Sequence, residues 1–314
     1  MSAPYLLRRL GFAVAVLWAS YTVSFAVLYL LADPVATLVA RASDGSAVTP
    51  AELAELTARY GLDQPLPMQY LDRLASAVRG DLGTSFVSGQ PVGRTIAEAL
   101  PPTLQIATAG LVLAVVLGAG VALTATYTRR RWLAQALAGL PSLAVSLPVF
   151  WVGLMLVQLF SFRLGWLPAV GARGPEAMIL PAITLALPTG ALIAQVLVKS
   201  MGQALAEPYV TTARAKGVGP LAVHLRHALA TAGIPALTVL GYVTGNLLAG
   251  TVVVETVFTR PGLGRITVSA VADQDIPLVQ GVVLLAAVVF VGVNLVVDLL
   301  YPLLDPRVTR AVPA

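Results

Sequence analysis

Few residues in this sequence have side chains suited to acid–base, nucleophilic or metal chemistry. Cysteine is absent, which excludes disulfides, thiolate metal sites and a cysteine nucleophile. The two histidines, His224 and His227, have no acidic or thiol ligand beside them, so we expect polar surface residues and no metal site. Neither G-x-S-x-G nor H-E-x-x-H occurs, and we therefore predict no catalytic residues and no enzyme activity.

The lysines are equally informative, because there are only two and neither follows a glycine. Lys199 and Lys216 therefore cannot complete the phosphate-binding pattern G-x-x-x-x-G-K-[ST]. We expect no nucleotide site of that kind and no cofactor bound by this chain. Any ATP that this system uses therefore has to be bound by another chain.

Segment 207–229 is the most organised polar stretch of the sequence. Pro208 suits the first turn of a helix, and Gly217 suits the left-handed residue that ends one. Gly219 and Pro220 then begin a second helix. That second helix places three leucines on one face: Leu221, Leu225 and Leu229. Docking of a soluble partner and an ordinary connecting loop both remain open at this point.

Composition places these elements in a membrane. Only 11% of the residues are charged and 57% are hydrophobic, whereas soluble domains carry about 25% charged residues. Six apolar runs are long enough to span a bilayer, and the third, fourth and fifth contain prolines within their interiors. The predicted spans are Gly11–Leu31, Thr103–Tyr127, Leu137–Phe160, Met178–Val198, Leu229–Val254 and Leu278–Leu304. The first run exceeds a signal-peptide core in length, so we expect it to be a retained span.

The basic residues predict the orientation. With both termini in the cytoplasm, the inner segments carry a net charge of +9, the outer segments −3, and Asp298 within the last span adds −1. The overall charge of +5 is therefore explained by loop bias, and we expect no nucleic-acid partner. The outer segment before the second span contains an N-capping pattern at Thr49–Glu52 and an amphipathic stretch from Pro67 to Arg79. The apolar face of that stretch comprises Met68, Leu71, Leu74, Ala75 and Val78. These helices are expected to contact the bilayer surface, the protein's own helices or a partner.

Polar residues inside the spans are scarce, which argues against proton coupling. Gln195, Asn246 and Asn294 are candidate pathway residues, although interhelical hydrogen bonds explain them equally well. A self-sufficient channel or a sodium-coupled secondary carrier remains the alternative function. On the outer side, Pro261-Gly262-Leu263-Gly264 predicts a type II turn. That turn is a structural corner or, alternatively, an outer gate or receptor contact.

Several motifs resemble one transporter family. Tyr209-Val-Thr-Thr-Ala-Arg-Ala-Lys-Gly217 and Arg226-His-Ala-Leu-Ala-Thr-Ala-Gly-Ile-Pro235 resemble the E-A-A loop of permease subunits of binding-protein-dependent ABC importers, in the dipeptide, oligopeptide and nickel form. Two positions depart from that pattern, with Thr211 in place of the usual Arg and Thr231 in place of Asn. Further patches fit the family along nearly the whole chain, among them Arg79–Ser85, Glu255–Gly264 and Val297–Arg307. The pattern is closest to the B-type subunit.

The resemblance implies an all-α polytopic membrane protein with six transmembrane helices and the type I ABC importer (MetI-like) permease fold. It implies a bacterial inner-membrane location, a C-type permease partner, two ATPase chains that bind ATP and Mg, and an external substrate-binding protein. The implied cargo is a dipeptide, an oligopeptide or a related solute such as glutathione or chelated nickel. The implied coupling residues, including the small and cationic side chains of the loop, are Glu207, Tyr209, Thr212, Ala213, Arg214, Ala215, Lys216, Gly217, Arg226 and His227.

The expected organisation follows from these boundaries. Residues 1–32 form an N-terminal transmembrane helix, and residues 33–100 form the extracytoplasmic segment. Residues 101–305 form a five-helix core that contains the coupling loop, and residues 306–314 form a cytoplasmic tail.

Overall fold

The protein is described here by a computed structural model of residues 3–31, 33–42, 49–169 and 174–304. Within these residues the regular structure is helical, apart from one isolated β-bridge between Thr84 and Pro91. The expected tail 306–314 lies outside the described residues. The helices are α1 (Ala3–Phe25, continued by a π-helical Ala26–Leu31), α2 (Pro34–Ala42), α3 (Pro50–Arg59), α4 (Leu66–Val78), α5 (Val92–Tyr127), α6 (Arg131–Val145), α7 (Val149–Leu156, continued by a π-helical Val157–Arg163), α8 (Glu176–Ala206), α9 (Pro208–Ala215), α10 (Pro220–Ala222), α11 (Leu229–Val257), α12 (Leu263–Ala272) and α13 (Ile276–Leu304).

Among the described residues, five stretches are long and apolar enough to cross a bilayer, and each overlaps most of one predicted span. They are Leu7–Leu30, Val92–Tyr127, Glu176–Ala206, Pro220–Val257 and Ile276–Val297. Several extend well beyond the predicted ends, because polar turns of the same helix continue the hydrogen-bond ladder past the apolar run.

The predicted third span differs from this pattern. We predicted one helix over Leu137–Phe160, but the chain forms α6 and α7, which meet at an angle of 104°. The break falls at Ser146–Pro148, where Ser146 caps α6 and Pro148 lies in an extended conformation before α7. Proline disfavours helical geometry at the preceding residue, and the break falls directly before Pro148, whereas α8 and α11 continue through their own prolines. The two helices count as a sixth span only if the bent pair is taken as one unit.

The chain divides into two compact units, each described by itself. Unit A comprises Pro102–Arg260 and Gly292–Ala314, and unit B comprises Ser2–Pro101 and Pro261–Val291.

Close approach of α5 and α8 organises the core of unit A. A Cβ atom added to Gly118 would lie 2.7 Å from the carbonyl oxygen of Gly190, and one added to Gly190 would lie 2.9 Å from that of Ala114. Such distances leave no room for a methyl group. Membrane helices often pack together through small residues. Lipid provides no hydrophobic driving force between helices, so dispersion contacts between closely spaced backbones stabilise the pair instead.

Unit B contains a buried polar junction that sequence reasoning missed. The Asp275 side chain is only 1% exposed and precedes α13. It accepts a hydrogen bond of 2.5 Å from the Ser85 hydroxyl and one of 3.0 Å from the Phe86 backbone amide. The Ser85 hydroxyl in turn accepts from the amides of Val87 and Ser88. The Arg79–Ser85 motif therefore shapes a loop around this carboxylate.

The outer helix α3 begins at its predicted capping box, whereas α4 buries only part of its predicted apolar face. Thr49 and Glu52 form the predicted capping box at the start of α3. On α4, however, Met68 and Leu71 are exposed, and Val78 is 83% exposed. The residue that α4 buries is Gln69. Of the predicted apolar face, only Leu74 packs within unit B, in the cluster that contains Tyr21 and Phe25.

The predicted type II turn at Pro261-Gly262 is wrong. Gly262 has φ 174° and ψ −179°, an extended conformation, and it caps α12. The left-handed residue is Thr259, with φ 50°, in the turn that ends α11. The backbone amide of Arg260 donates to the Glu255 carbonyl at 2.8 Å and closes that turn.

Candidate functional site

The inner loop begins with α9, whose two ends match the sequence prediction. Glu207 is the extended N-cap residue, and Pro208 occupies the first helical position. At the other end, the amide of Gly217 donates to the Arg214 carbonyl at 2.9 Å, and that of Val218 donates to the Ala213 carbonyl at 3.1 Å. This pair of bonds is a Schellman motif, and Gly217 takes the left-handed conformation it requires, with φ 83°.

The second helix also starts where expected, since Gly219 is its extended N-cap and Pro220 its first residue. It does not end within the loop. From Pro220 the helix continues through a π-helical stretch into α11, so that Pro220–Val257 is one helix of 38 residues. The inner loop and the fifth predicted span are therefore parts of the same element. Leu221 and Leu225, predicted to share a face with Leu229, are exposed.

The exposed side of α9 carries most of the candidate coupling residues. Val210 and Ala213 point into unit A and are buried, so the Ala213 methyl faces its own chain. Residues exposed along α9 and its end are Glu207, Tyr209, Thr212, Arg214, Ala215, Lys216 and Gly217. Small and cationic side chains therefore share one accessible surface, on which a partner can approach the backbone closely.

Positive charge dominates this surface. Arg214, Lys216 and Arg226 are all exposed, and Glu207 is the exposed acid at the beginning of the loop. A surface with this balance is complementary to an acidic partner, and the attraction between them weakens as ionic strength rises.

Side-chain hydrogen bonds brace the loop against the rest of unit A. The Tyr209 hydroxyl lies 3.4 Å from the Thr231 hydroxyl and so connects α9 to α11. Thr231 is one of the positions that depart from the family pattern, and here it takes part in this contact. The two histidines are His224, which is buried, and His227, which is half-buried.

His224 corrects the expectation of two surface histidines, because its side chain is 6% exposed. Its Nδ1 lies 2.9 Å from the Pro220 carbonyl oxygen, and its Nε2 lies 3.2 Å from that of Thr126. The imidazole also packs edge-on against the Tyr127 ring, with centroids 5.2 Å apart. Thr126 lies in the last turn of α5, where helix carbonyls lack partners, so His224 fastens the inner loop to the end of α5. Among the described residues, no group of histidine and acidic side chains is arranged to hold a metal ion.

The intramembrane polar candidates make local contacts. The Gln195 side chain donates to the Ser142 hydroxyl at 3.5 Å, which links α8 to α6. Asn246 donates to the Tyr242 carbonyl of its own helix at 3.0 Å and is otherwise exposed. Asn294 is half-buried in α13. Interhelical packing and helix-surface bonds therefore account for Gln195 and Asn246.

Glu255 is a buried acid that the sequence prediction placed just outside the fifth span. The helix continues to Val257, and the Glu255 side chain is fully buried. The Thr103 hydroxyl of α5 donates to its Oε1 at 2.5 Å. The predicted span ended at Val254 because the next residue is acidic. The sequence does not show that Thr103 provides a hydrogen-bond partner, which allows this acidic side chain to be buried within the helix.

The outer candidates behave as packing residues of unit B. Pro261 is exposed, whereas Gly262, Leu263 and Gly264 are buried. Leu263 packs in the cluster that contains Val92 and Leu278. This favours the structural corner over the outer gate.

Comparison with known proteins places these features in one family. Residues 110–310 match the family model of the binding-protein-dependent transport system inner membrane component, and residues 3–107 match its N-terminal companion. The chain is 38% identical to the glutathione transport system permease protein GsiC of Salmonella choleraesuis over 304 residues, covering 97% of this chain and 98% of that protein. It is 38% identical to GsiC of Escherichia coli K12 over 306 residues, with the same coverage.

A solved structure supports the fold. The chain superimposes on a subunit of the inward-facing MetNI methionine ABC transporter with a TM-score of 0.57 and 15% identity, over 67% of this chain and 96% of that one. The family matches, the identity to GsiC and this architecture agree with one another. The chain therefore belongs to the binding-protein-dependent inner membrane components and is a permease subunit of an ABC importer, with the all-α, MetI-like permease fold.

Proposed function

We propose that this permease moves a small peptide-like solute into the cell with energy from ATP that partner chains hydrolyse. The observation that carries the proposal is the inner loop, which offers a stiffly capped helix with exposed small and cationic side chains. A phosphate-binding loop is missing from the sequence, so the energy is expected to enter through this surface. The partners are two ATPase chains, a C-type permease and an external binding protein.

The solute class is supported by the relatives. The permeases that match over nearly the whole chain are named for glutathione transport, and glutathione is a tripeptide. We extend this to dipeptides, oligopeptides and related small solutes. The coupling residues of the proposal are those on the exposed side of α9 together with Arg226 and His227.

The proposed location is the bacterial inner membrane, with both termini in the cytoplasm. The charge bias of the loops supports this orientation. A reporter fused near Asp81 should be active outside, and one near Arg130 should be active inside. The opposite pattern would refute the orientation.

Reconstitution tests the function directly. The permease, purified from its own membranes, should bring stoichiometric ATPase chains with it. Proteoliposomes that also contain the binding protein should accumulate labelled dipeptide only when ATP is present. Uptake that persists without any ATPase chain, or that follows a sodium gradient alone, would replace this proposal with the carrier alternative.

A further inference from the structure

Eight exposed residues form one continuous stripe along α11. They recur every three or four residues, the spacing that places side chains on one face of a helix. This α11 stripe comprises Thr231, Pro235, Thr238, Tyr242, Asn246, Ala249, Val253 and Thr256. Five of its eight side chains carry a hydroxyl or amide group, and none is charged. The stripe is therefore a polar, uncharged face that runs the length of a membrane span.

The exposed faces of the other long helices are different. From Gly11 to Phe25 the exposed residues of α1 are aliphatic, aromatic or glycine, and those of α13 up to Val297 are valine, alanine, phenylalanine and glycine. In α5 the exposed polar residues stop at Thr108 and resume only at Thr124. Between its terminal Glu176 and Lys199, α8 exposes only an isoleucine and a leucine. Acyl chains offer no hydrogen-bond partner, so apolar faces suit lipid and the α11 stripe suits a different neighbour.

Tyr242 lies at the centre of the stripe. Its side chain is 63% exposed, and its hydroxyl has no hydrogen-bond partner within the described part of the chain. The residue is about 18–20 Å along the helix from either end of the predicted span Leu229–Val254, at 1.5 Å per residue. Tyrosines of membrane proteins are enriched at the two interfaces, where the hydroxyl reaches water. A tyrosine at this depth requires another polar neighbour.

Asn246 lies one turn further along, and a local bond accounts for only part of its side chain. One N–H of the amide donates to the Tyr242 carbonyl at 3.0 Å. The second N–H and the side-chain carbonyl oxygen have no partner among the residues that the structure describes. Polar groups without partners are strongly disfavoured in hydrocarbon. Tyr242 and Asn246 together therefore require water or a polar molecule beside the middle of α11.

We propose that the α11 stripe lines a water-filled route for the solute, and that Tyr242 and Asn246 hydrogen-bond to the solute halfway across the membrane. A permease requires a polar face that crosses the whole bilayer, and the α11 stripe is such a face. Because the stripe is uncharged, it holds the solute by neutral hydrogen bonds, which are weak enough to release it. The chemical class of the solute rests on the proposed function, whereas the water-filled face rests on the exposed polar groups of α11.

The absence of cysteine makes a labelling experiment direct, since any thiol label on this chain marks an introduced residue. Tyr242→Cys and Asn246→Cys are produced in the complete transporter and treated, in membranes open on both sides, with a charged, water-soluble methanethiosulfonate. Val23→Cys is the matched control, because Val23 is 62% exposed on the apolar face of α1 and lies near the middle of its span. Both stripe variants should react at least about tenfold faster than the control, because the centre of a bilayer excludes a charged reagent.

Protection by the solute tests the contacts. L-alanyl-L-alanine, added with the binding protein, should slow the labelling of both stripe variants several-fold and leave that of Val23→Cys unchanged. Tyr242→Phe removes only the hydroxyl and should raise the KM for uptake several-fold. This conservative variant decides the contact if the cysteine variants fail to assemble.

Labelling of the stripe variants no faster than that of Val23→Cys would overturn the water-filled face and indicate that lipid or a helix of the second permease covers it. Fast labelling without protection, or an unchanged KM in Tyr242→Phe, would overturn the solute contacts. Labelling requires neither ATP nor transport, so the two proposals fail separately. ATP-driven uptake with unreactive stripe variants refutes this inference alone, and reactive stripe variants in a permease whose uptake needs no ATPase refute the proposed function alone.

Discussion

Replacing Gly217 with valine tests whether the sharp end of α9 transmits force from an ATPase. Gly217 has φ 83°, and a Cβ atom added there would meet nothing within 4 Å. The cost of a side chain is therefore conformational, because the surroundings leave space for it. A left-handed conformation costs an L-residue about 1–2 kcal/mol, and branching at Cβ places valine at the upper end. A change of that size shifts the equilibrium between capped and uncapped ends of α9 by roughly 5- to 30-fold.

The expected result is a several-fold loss of solute imported per ATP hydrolysed, with normal membrane insertion. Uptake and ATP hydrolysis are measured in the same proteoliposomes, so a fall in their ratio reports coupling and not abundance. Gly217→Asn is the matched control, since asparagine tolerates the left-handed conformation and should retain most of the coupling. Unchanged coupling in the valine variant, or an equal loss in the asparagine variant, would refute the reasoning.

Three further changes have expected outcomes. Ser85→Ala removes a donor from the buried Asp275 and should lower the free energy of unfolding by about 1–3 kcal/mol in thermal denaturation, whereas the exposed Ser88→Ala should cost less. Gln274 has φ 51°, so Gln274→Gly should raise the free energy of unfolding by about 0.5–1 kcal/mol, and a lower melting temperature would contradict this. Hydrogen bonds from the N-cap hold the pKa of Glu52 below its usual value of 4.5. The protection of the α3 amides, measured relative to intrinsic exchange, should therefore be constant above pH 4.5 and fall as the pH drops through the lowered pKa, and Glu52→Gln should abolish this dependence.

Local signals in the sequence predicted the helix ends well. The capping box at Thr49 and Glu52, the left-handed stop at Gly217 and the start at Gly219-Pro220 were all confirmed. Each depends on the conformational preferences of a few consecutive residues, so no knowledge of the rest of the fold is needed. The apolar runs predicted the five continuous spans for a similar reason, since length and hydropathy are properties of one segment.

Features that depend on distant partners were not predictable in this way. The sequence predicted His224 at the surface, because it does not show the contact with the Thr126 carbonyl at the end of α5. It predicted Glu255 outside the span, because it does not show the hydrogen bond from the Thr103 hydroxyl. The 104° bend between α6 and α7 was missed because hydropathy continues through Ser146–Pro148 while the backbone does not.

The two misjudged residues both connect the long helix Pro220–Val257 to α5. His224 and Glu255 lie near opposite ends of the single helix Pro220–Val257, and both contact α5, at Thr126 and Thr103 respectively. One helix is thus fastened to the other at two levels about 35 Å apart along α5, at 1.5 Å per residue. Two such attachments prevent sliding and independent tilting, because either motion would break a buried hydrogen bond. Under the proposed coupling through α9, we expect a displacement that passes from Tyr209 to Thr231 to move α5 and the long helix together. The proposal requires this rigidity, since a flexible connection would absorb the motion before it reached the membrane.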